Sequence, residues 1–265
     1  MIEGGTRAPA LDAGNPGFCV FWRKVMFEFL RKKKAPRPFV SAIIAAGGSS
    51  ARMGGDNKLL LELGELPVLV RAMLAFEVCP AIDEIVLVAR EDLVVEYANL
   101  ARDAGIDKLT QAVSGGNSRL MSVYRGMAAI SSKAQFVAVH DGARPCIRPE
   151  EIERVCAAAF EASAAVAVAP VTDTVKRARG ECIVGTEDRE SLVCAQTPQV
   201  ADRDLLYAAL ERAITMQPPV TDESMALEQM GVQPRAVMLG RDNIKITTRE
   251  DWLLAGLILD EREGL

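Results

Sequence analysis

A glycine-rich loop between Gly47 and Lys58 carries the charges that a phosphate group requires. It follows an apolar run, Val40–Ala46, and contains four glycines together with Arg52 and Lys58. Glycines let backbone N–H groups approach an anion closely, and the two cationic side chains balance its charge. The loop has neither the G-x-x-x-x-G-K-[ST] nor the G-x-G-x-x-G spacing, so an ordinary strand-to-helix turn is the alternative.

Two further polar segments follow apolar runs that are typical of buried strands. One is a second glycine-containing loop at residues 114–122, and the other holds Asp141 and Arg144 directly after the run at 136–140. Because parallel strands end at the same edge of a sheet, we expect all three loops to lie close together. Asp141 is the candidate ligand of Mg²⁺, which takes few protein carboxylates and several phosphate oxygens. The alternative is an aspartate that caps its own turn.

Lys245, in the segment 243–247, is the third candidate cation, although a solvated lysine at a strand edge is an equally simple interpretation. His140 is the only histidine of the chain. Alternation along a strand directs its side chain away from that of Asp141, and we expect it to be a hydrogen-bonded structural residue. Three cations near a metal site, without a nucleophile–base pair, indicate direct phosphoryl or nucleotidyl transfer, which depends on positioning and charge neutralisation.

The composition is that of an ordinary globular protein. Of the 265 residues, 49% are hydrophobic and 25% are charged, and the net charge of −5 gives no reason to expect nucleic acid as a partner. Six cysteines occur without C-x-x-C spacing, which argues against a zinc site and a disulfide framework and favours reduced thiols in the cytoplasm. No apolar run reaches the length of a membrane span, so we expect no membrane association.

Apolar runs rich in β-branched residues alternate with helical patterns from Val40 onward, which predicts an α/β fold with a mostly parallel sheet and helices on both faces. Predicted strands are 40–46, 85–89, 108–113, 136–140, 164–170, 235–239 and 243–247. Predicted helices begin at Pro67 and Pro149 and also cover 92–104, 118–130, 204–215, 225–230 and 250–262.

Residues 172–198 interrupt this alternation. Their polar pattern, with Gly180 at a turn position, predicts a β-hairpin that projects from the body as an arm at about 172–196. A two-stranded hairpin buries little surface by itself, so we expect it to pack on a second copy of the chain in a homodimer.

Residues 1–37 differ in composition from the single domain expected at 38–265. An apolar segment broken by Arg23 and Lys24 is followed by the basic run 31–34, the reverse of the order in a secretory signal. Three interpretations remain open. The segment is a disordered or loosely helical tail upstream of a true start at Met26, a helix that docks on the body, or a basic amphipathic segment at a membrane surface.

Seven motifs occur in an order that resembles the 2-C-methyl-D-erythritol 4-phosphate cytidylyltransferase family. They are AAGGSSARM (45–53) with Lys58, GGNSRLMS (115–122), HDGARP (140–145), DTVK (173–176), QTPQ (196–199), TDES (221–224) and NIKIT (243–247). The resemblance covers the chain from about residue 39 to its end. It implies a Rossmann-like nucleotidyltransferase fold and a homodimer joined by the arms.

The resemblance also implies a reaction. Magnesium-dependent attack of the phosphate of methylerythritol phosphate on the α-phosphorus of CTP would release pyrophosphate, without a covalent enzyme intermediate. The residues matching the stabilisers of the transition state are Arg52, Lys58 and Lys245. Those matching the cytidine site are Ala45, Ala46, Gly47, Gly116, Asn117 and Ser122. Those matching the acceptor site are Asp141, which also serves the metal, Arg144, Thr174, Arg189 and Thr197, with the arm residues reaching the acceptor from the partner subunit.

Two departures from the family pattern affect these roles. The first loop has one residue more before Arg52 and one fewer after it, which leaves the pairing of glycines with phosphates open, and Asn117 stands where aspartate is frequent. Two other functions compete: a ribitol-5-phosphate cytidylyltransferase, disfavoured by Thr174, Arg189 and Thr197, and a non-catalytic nucleotide sensor. A sensor has no need of charges directed at a transition state.

Overall fold

The computed structural model describes residues 37–48 and 57–263. The N-terminal extension up to residue 36 and the candidate Arg52 lie outside the described residues. From Pro38 onward the chain forms one compact unit. Within the described part, none of the helices combines the length and apolar character needed to cross a membrane.

A seven-stranded sheet forms the centre of the described part, in the order β11-β7-β10-β6-β1-β4-β5. The strands are β1 Val40–Ala46, β2 Glu62–Leu63, β3 Leu66–Pro67, β4 Glu84–Ala89, β5 Leu109–Ser114, β6 Phe136–Asp141, β7 Ala164–Pro170, β8 Lys176–Arg179, β9 Cys182–Thr186, β10 Val193–Asp202 and β11 Arg235–Met238. The helices are α1 Val68–Val78, α2 Val94–Asp103, α3 Arg119–Met127, α4 Pro149–Ala162, α5 Arg203–Ala213, α6 Glu223–Glu228 and α7 Arg249–Glu263.

The central strands are buried on both faces, which explains why their sequences are apolar without interruption. In β1, Ala42 and Ile44 belong to one hydrophobic cluster and Ile43 to the other. Helices α1, α2, α4 and α7 pack into the first cluster, and α3, α5 and α6 into the second. The prediction of an α/β fold with helices on both faces is therefore confirmed.

Strand β10 departs from the prediction because it lies within the main sheet. It pairs antiparallel with both β6 and β7, whereas β1 pairs in parallel with β4 and β6, and β4 pairs in parallel with β5. The pattern of the sequence did not predict this strand because Pro198 interrupts the segment, and proline argues against a central strand. A shift of register between Ala195 and Gln199 accommodates this interruption. The main sheet thus resumes at Val193, before the predicted end of the arm.

The predicted hairpin is present as the separate two-stranded sheet β8–β9. Gly180, between the two strands, has φ +57, the left-handed region that glycine adopts without a steric penalty. Large apolar side chains on the arm are exposed, including Ile183 at 68% and Val184 at 50%. This surface is available to a partner.

Some predicted elements differ from the structure in type or position. The segment 243–247 is irregular, and the prediction of a strand there is wrong. Its backbone polar groups bind residues of the turn after β6 instead of a neighbouring strand. The Ile246 N–H donates to the Ala143 carbonyl oxygen (2.8 Å), and the Asn243 carbonyl accepts from Arg144 Nη1 (2.7 Å). The short hairpin β2–β3 was not predicted, and α1 begins at Val68, directly after Pro67, which is its N-cap.

Helix α3 packs tightly on the sheet at Gly126, which leads to a stability prediction. A Cβ at Gly126 would lie 2.8 Å from Ile43 Cγ2 and 2.9 Å from Val88 Cγ2, both on stiff β-branched side chains. We expect Gly126→Ala to lower the free energy of unfolding by about 1–3 kcal/mol, the usual cost of overpacking.

The matched control is Gly256→Ala in helix α7, where the nearest atom to the new methyl group is Leu63 Cδ2 at 3.9 Å. Because alanine favours helix and has room here, we expect a gain of up to about 1 kcal/mol. Urea unfolding of both variants measures the difference. Equal effects of the two substitutions would contradict the packing described for α3.

Candidate active site

Three parallel strands end at the edge of the sheet where the sequence places its polar loops. The edge is defined by Ala46 of β1, Ser114 of β5 and Asp141 of β6. The Gly142 N–H donates to the Ala45 carbonyl (3.0 Å), and a Cβ at Gly47 would contact Ser122 Oγ at 3.6 Å. The predicted meeting of the loops is thus confirmed for the described residues.

Asp141 lies at the centre of this edge, with its carboxylate between three cations. Oδ1 accepts from Arg119 Nε (3.1 Å), Oδ2 contacts Lys245 Nζ (2.7 Å), and Arg144 Nε lies 3.9 Å from Oδ2, too far for a hydrogen bond. Burial opposes ionisation of Asp141, but the charges of Arg119, Lys245 and Arg144 outweigh it and hold its pKa well below the usual range. The carboxylate is therefore ionised at neutral pH.

Arg119 joins Asp141 to a second carboxylate. Its two terminal nitrogens donate to the two oxygens of Glu223, at 2.6 and 3.0 Å. Burial raises the pKa of Glu223, while the charge and the hydrogen bonds of Arg119 oppose this rise. Burial lowers the pKa of Arg119, but Glu223 and Asp141 outweigh burial and raise it. Arg119 is thus held as a cation between two carboxyl groups.

The segment 243–247 is the link between two lysines: Lys58 binds it, and Lys245 extends from it. Lys58 Nζ donates to the carbonyl oxygen of Ile246 at 2.8 Å, while Lys245 reaches Asp141. Asn243, fully buried, anchors the segment because its Nδ2 donates to Gln196 Oε1 (3.1 Å) and to the Thr197 carbonyl (2.9 Å). This irregular segment thereby binds one of the two lysines predicted to be catalytic and carries the other.

His140 and Thr197 support the turn that carries Asp141. The Asp141 N–H donates to Thr197 Oγ1 (3.0 Å), whose hydroxyl lies 3.1 Å from His140 Nδ1, and His140 Nε2 lies 3.3 Å from the Arg144 carbonyl. Burial lowers the pKa of His140 to about 3, so the ring is neutral. The Nε2–H tautomer satisfies the chain, with Thr197 donating to Nδ1 and Nε2 donating to the carbonyl. His140 is thus a structural residue, as predicted.

The second loop forms a compact turn around Ser122. Ser122 Oγ accepts from the Gly116 N–H (3.1 Å) and donates to the Ser118 carbonyl (2.8 Å), while Ser118 caps helix α3. A Cβ at Gly115 would lie 2.7 Å from Ser122 Oγ, so this close approach requires glycine. Asn117 is exposed at the tip of the turn.

The predicted acceptor residues are divided between two places. Asp141, Arg144 and Thr197 lie together, whereas Thr174 and Arg189 lie on the exposed arm, where Arg189 Nη1 donates to the Thr172 carbonyl (3.0 Å). In the described part of this chain, no hydrogen bond or ion pair joins the two arm residues to Asp141. The structure places Thr197 in β10, where its hydroxyl accepts from the Asp141 N–H of its own chain.

Arg119 and Glu223 are the site residues that sequence reasoning did not single out. Both lie in motifs whose other positions were interpreted: Arg119 follows the glycine turn, and Glu223 follows the cap of α6 at Asp222. A charged residue directly after each cap was the available signal. What the sequence lacked was the distance between two positions 104 residues apart.

This edge can hold a divalent cation only when a bound phosphate supplies most of its ligands. Among the described residues, no three His, Cys, Asp or Glu side chains come together as a metal site. Both oxygens of Asp141 already contact cationic groups. The donor set therefore fits Mg²⁺ that takes most of its ligands from phosphate oxygens, and it does not fit a metal held by protein groups alone.

The fold and the site together define a nucleotidyltransferase: an α/β sheet whose parallel strands end in a glycine turn, with one lysine and two arginines around a carboxylate. The family model of 2-C-methyl-D-erythritol 4-phosphate cytidylyltransferase matches residues 40–261, and the chain belongs to this family.

Individual proteins and structures agree with this assignment. Enzymes of that name from Halalkalibacterium halodurans and Symbiobacterium thermophilum are 38% and 40% identical to it over 224 residues; each match covers 84% of this chain, and 98% and 93% of the respective relatives. The crystal structure of 4-diphosphocytidyl-2C-methyl-D-erythritol synthase from Anaerococcus prevotii is similar with a TM-score of 0.76 and 30% identity, over 84% of this chain and 96% of that one.

The hydroxyl of Thr197 supplies two contacts that a methyl group cannot. Thr197→Val keeps the shape of the side chain but leaves the Asp141 N–H and His140 Nδ1 without their partner. We expect a loss of about 1–3 kcal/mol in the free energy of unfolding, the cost of unpaired buried polar groups, with Thr197→Ser close to wild type. Urea denaturation measures both. A Val variant as stable as the Ser variant would contradict the hydrogen-bonded chain.

Proposed function

We propose that this chain transfers the cytidylyl group of CTP to 2-C-methyl-D-erythritol 4-phosphate and releases pyrophosphate. The observation that carries the proposal is the Asp141 carboxylate, surrounded by Lys245, Arg119 and Arg144 at the edge that also holds the glycine turn. Membership of the family identifies the two substrates in this proposal. The product, 4-diphosphocytidyl-2-C-methyl-D-erythritol, is an isoprenoid precursor in this family.

The reaction is an in-line attack of the acceptor phosphate on the α-phosphorus of CTP. Negative charge accumulates on the pentacoordinate phosphorus, and fixed cations stabilise it. We assign this role to Lys58, which binds the Ile246 carbonyl, to Lys245, which extends from the same segment to Asp141, and by the family pattern to Arg52. No side chain forms a covalent bond with the substrate.

The nucleotide half of the site consists of backbone and small residues. Ala45 and Ala46 end β1 and Gly47 follows it, and Gly116 and Asn117 form the turn closed by Ser122. The absence of large side chains lets a nucleotide approach the backbone, and the exposed amide of Asn117 offers a donor and an acceptor to the base. Asp141 and Arg144 face the acceptor from the same edge.

A divalent cation completes the charge balance in this family, and we assign Mg²⁺ to Asp141 together with the phosphates of the bound nucleotide. When bound, it neutralises phosphate charge. The neighbouring Lys245 and Arg119 keep the Asp141 carboxylate ionised and oriented.

The active protein is a homodimer in our proposal, with the arm of one subunit on the body of the other. The exposed Ile183 and Val184 support it, since a free two-stranded hairpin is marginally stable. Thr174 and Arg189 then reach the acceptor across the interface. We also propose a cytoplasmic location, which is favoured by Cys182 and Cys194, two exposed cysteines that form no disulfide within the described part of the chain.

Pyrophosphate release tests the function directly. Purified protein is incubated with CTP and Mg²⁺, in parallel with methylerythritol phosphate, with ribitol 5-phosphate and with no acceptor. We expect release with methylerythritol phosphate. Release with ribitol 5-phosphate alone would replace the acceptor, and no release in any arm would favour a nucleotide sensor.

Lys58→Ala and Lys245→Ala each remove one oriented cation. We expect kcat to fall at least about a hundredfold in each variant, the scale of losing one group that stabilises transition-state charge. The matched control is Lys133→Ala, at an exposed lysine before β6, with wild-type turnover expected. Steady-state pyrophosphate release measures all three. Near-normal kcat in either site variant would remove that lysine from the mechanism.

Arg189→Ala tests the contribution of the arm. Because the side chain of Arg189 bonds to the Thr172 carbonyl of the arm and, in this proposal, reaches the acceptor of the partner subunit, we expect a higher acceptor KM with little change in the KM for CTP. Substrate titrations measure both constants, with Arg179→Ala on the same arm as the control. An unchanged acceptor KM would contradict the shared site.

A further inference from the structure

The pair formed by Arg119 and Glu223 connects parts of the chain that the reaction uses separately. Both oxygens of Glu223 accept from the terminal nitrogens of Arg119, and the third nitrogen of the same guanidinium, Nε, donates to Asp141 Oδ1. Arg119 is the first residue of α3, directly after the turn assigned to the nucleotide. One side chain therefore contacts both carboxylates, and its backbone continues the nucleotide turn.

The Glu223 end of the pair is fixed by its surroundings. The Glu223 side chain is 3% exposed, and it starts helix α6, whose N-cap Asp222 accepts from the Met225 N–H (2.9 Å). Gln199 of β10 holds the same helix start, since Oε1 accepts from the Ser224 N–H (2.8 Å) and Nε2 donates to Asp222 Oδ2 (2.9 Å). The carboxylate is thus attached to the central sheet through a buried amide.

The orientation of Asp141 depends on this arrangement. With Oδ1 held by Arg119, Oδ2 points toward Lys245 at 2.7 Å. The guanidinium of Arg119 is planar, and it binds Glu223 through its two terminal nitrogens and Asp141 through Nε. Its position therefore fixes the direction from which Asp141 Oδ1 accepts a hydrogen bond. Without Glu223, Arg119 would lose two of these hydrogen bonds and could rotate away from Asp141.

We propose that Glu223 and Arg119 are positioning residues for the acceptor half of the site: Glu223 orients Arg119, and Arg119 orients the Asp141 carboxylate between the acceptor and Lys245. This inference rests on the proposed function and deepens it. Neither residue touches the reacting atoms. The nucleotide turn has its own support in the Ser118 cap and Ser122, so the effect of the pair falls on the acceptor.

The test compares Glu223→Gln with wild type in steady-state kinetics. The amide keeps the size of the side chain but offers one acceptor and a donor, so it cannot receive both nitrogens of Arg119. We expect kcat/KM for the acceptor to fall at least about tenfold, the scale of one charge-assisted hydrogen bond, while the KM for CTP changes less than about twofold. The matched control is Glu161→Gln, which breaks an exposed pair with Arg235 and is expected to leave both constants unchanged.

A double variant separates positioning from stability. Arg119→Met combined with Glu223→Leu removes the buried pair completely, and such replacements are often neutral for folding. We expect the melting temperature of the double variant to be close to that of wild type. Its kcat/KM for the acceptor should still be at least about tenfold lower than that of wild type. Turnover that recovers with stability, or a double variant that does not fold, would overturn the proposal, since the pair would then serve only the fold.

The wild-type protein in the same assay distinguishes a failure of the positioning role from a failure of the proposed function. A wild type that releases no pyrophosphate with any acceptor refutes the function itself. An active wild type with an unchanged Glu223→Gln variant refutes only the positioning role. A rise in the KM for CTP, with an unchanged acceptor KM, would also refute it, since the pair would then act on the nucleotide turn.

Discussion

An ionised carboxylate that is almost buried is the constraint on which the arrangement of this site depends. Asp141 lies at the end of β6, and its charge is stable there because Arg119, Lys245 and Arg144 approach it from three different segments. An unpaired charge in such a place is costly, whereas a paired and hydrogen-bonded one is tolerated. The start of α3 and the segment 243–247 thus supply charges that make the buried Asp141 carboxylate tolerable at the edge of the sheet.

Buried amides hold these segments in place. Asn243 fixes the segment of Lys245 to β10, and Gln199 fixes the start of helix α6 to the same strand. Side-chain amides suit this task because each offers a donor and an acceptor to backbone that has no regular partner. β10 therefore carries the contacts that position the lysine and the glutamate, although it contributes none of the site's charge.

The sequence was sufficient for the elements whose pattern is local. The apolar run of β1 and the proline at the start of α4 identified a strand and a helix, and the order of motifs identified the family. It was insufficient where distant contacts decide. β10 contains Pro198 and forms a strand because β6 and β7 pair with it on both sides, and 243–247 is irregular because side chains occupy its backbone groups. The contact between Arg119 and Glu223 left no local pattern beyond two charged residues that each follow a helix cap.

The position of β10 has a consequence for assembly. Its first residues, Val193 to Ala195, pair with β7 beside the root of the arm, and the next residues carry Thr197 to Asp141. In a dimer formed through the arms, the contact between subunits and the acceptor site therefore share one continuous strand. Thermodynamic linkage is reciprocal. If dimerisation increases acceptor affinity by a given factor, the bound acceptor therefore increases the association constant of the subunits by the same factor. Substrate occupancy and oligomeric state then form a single equilibrium.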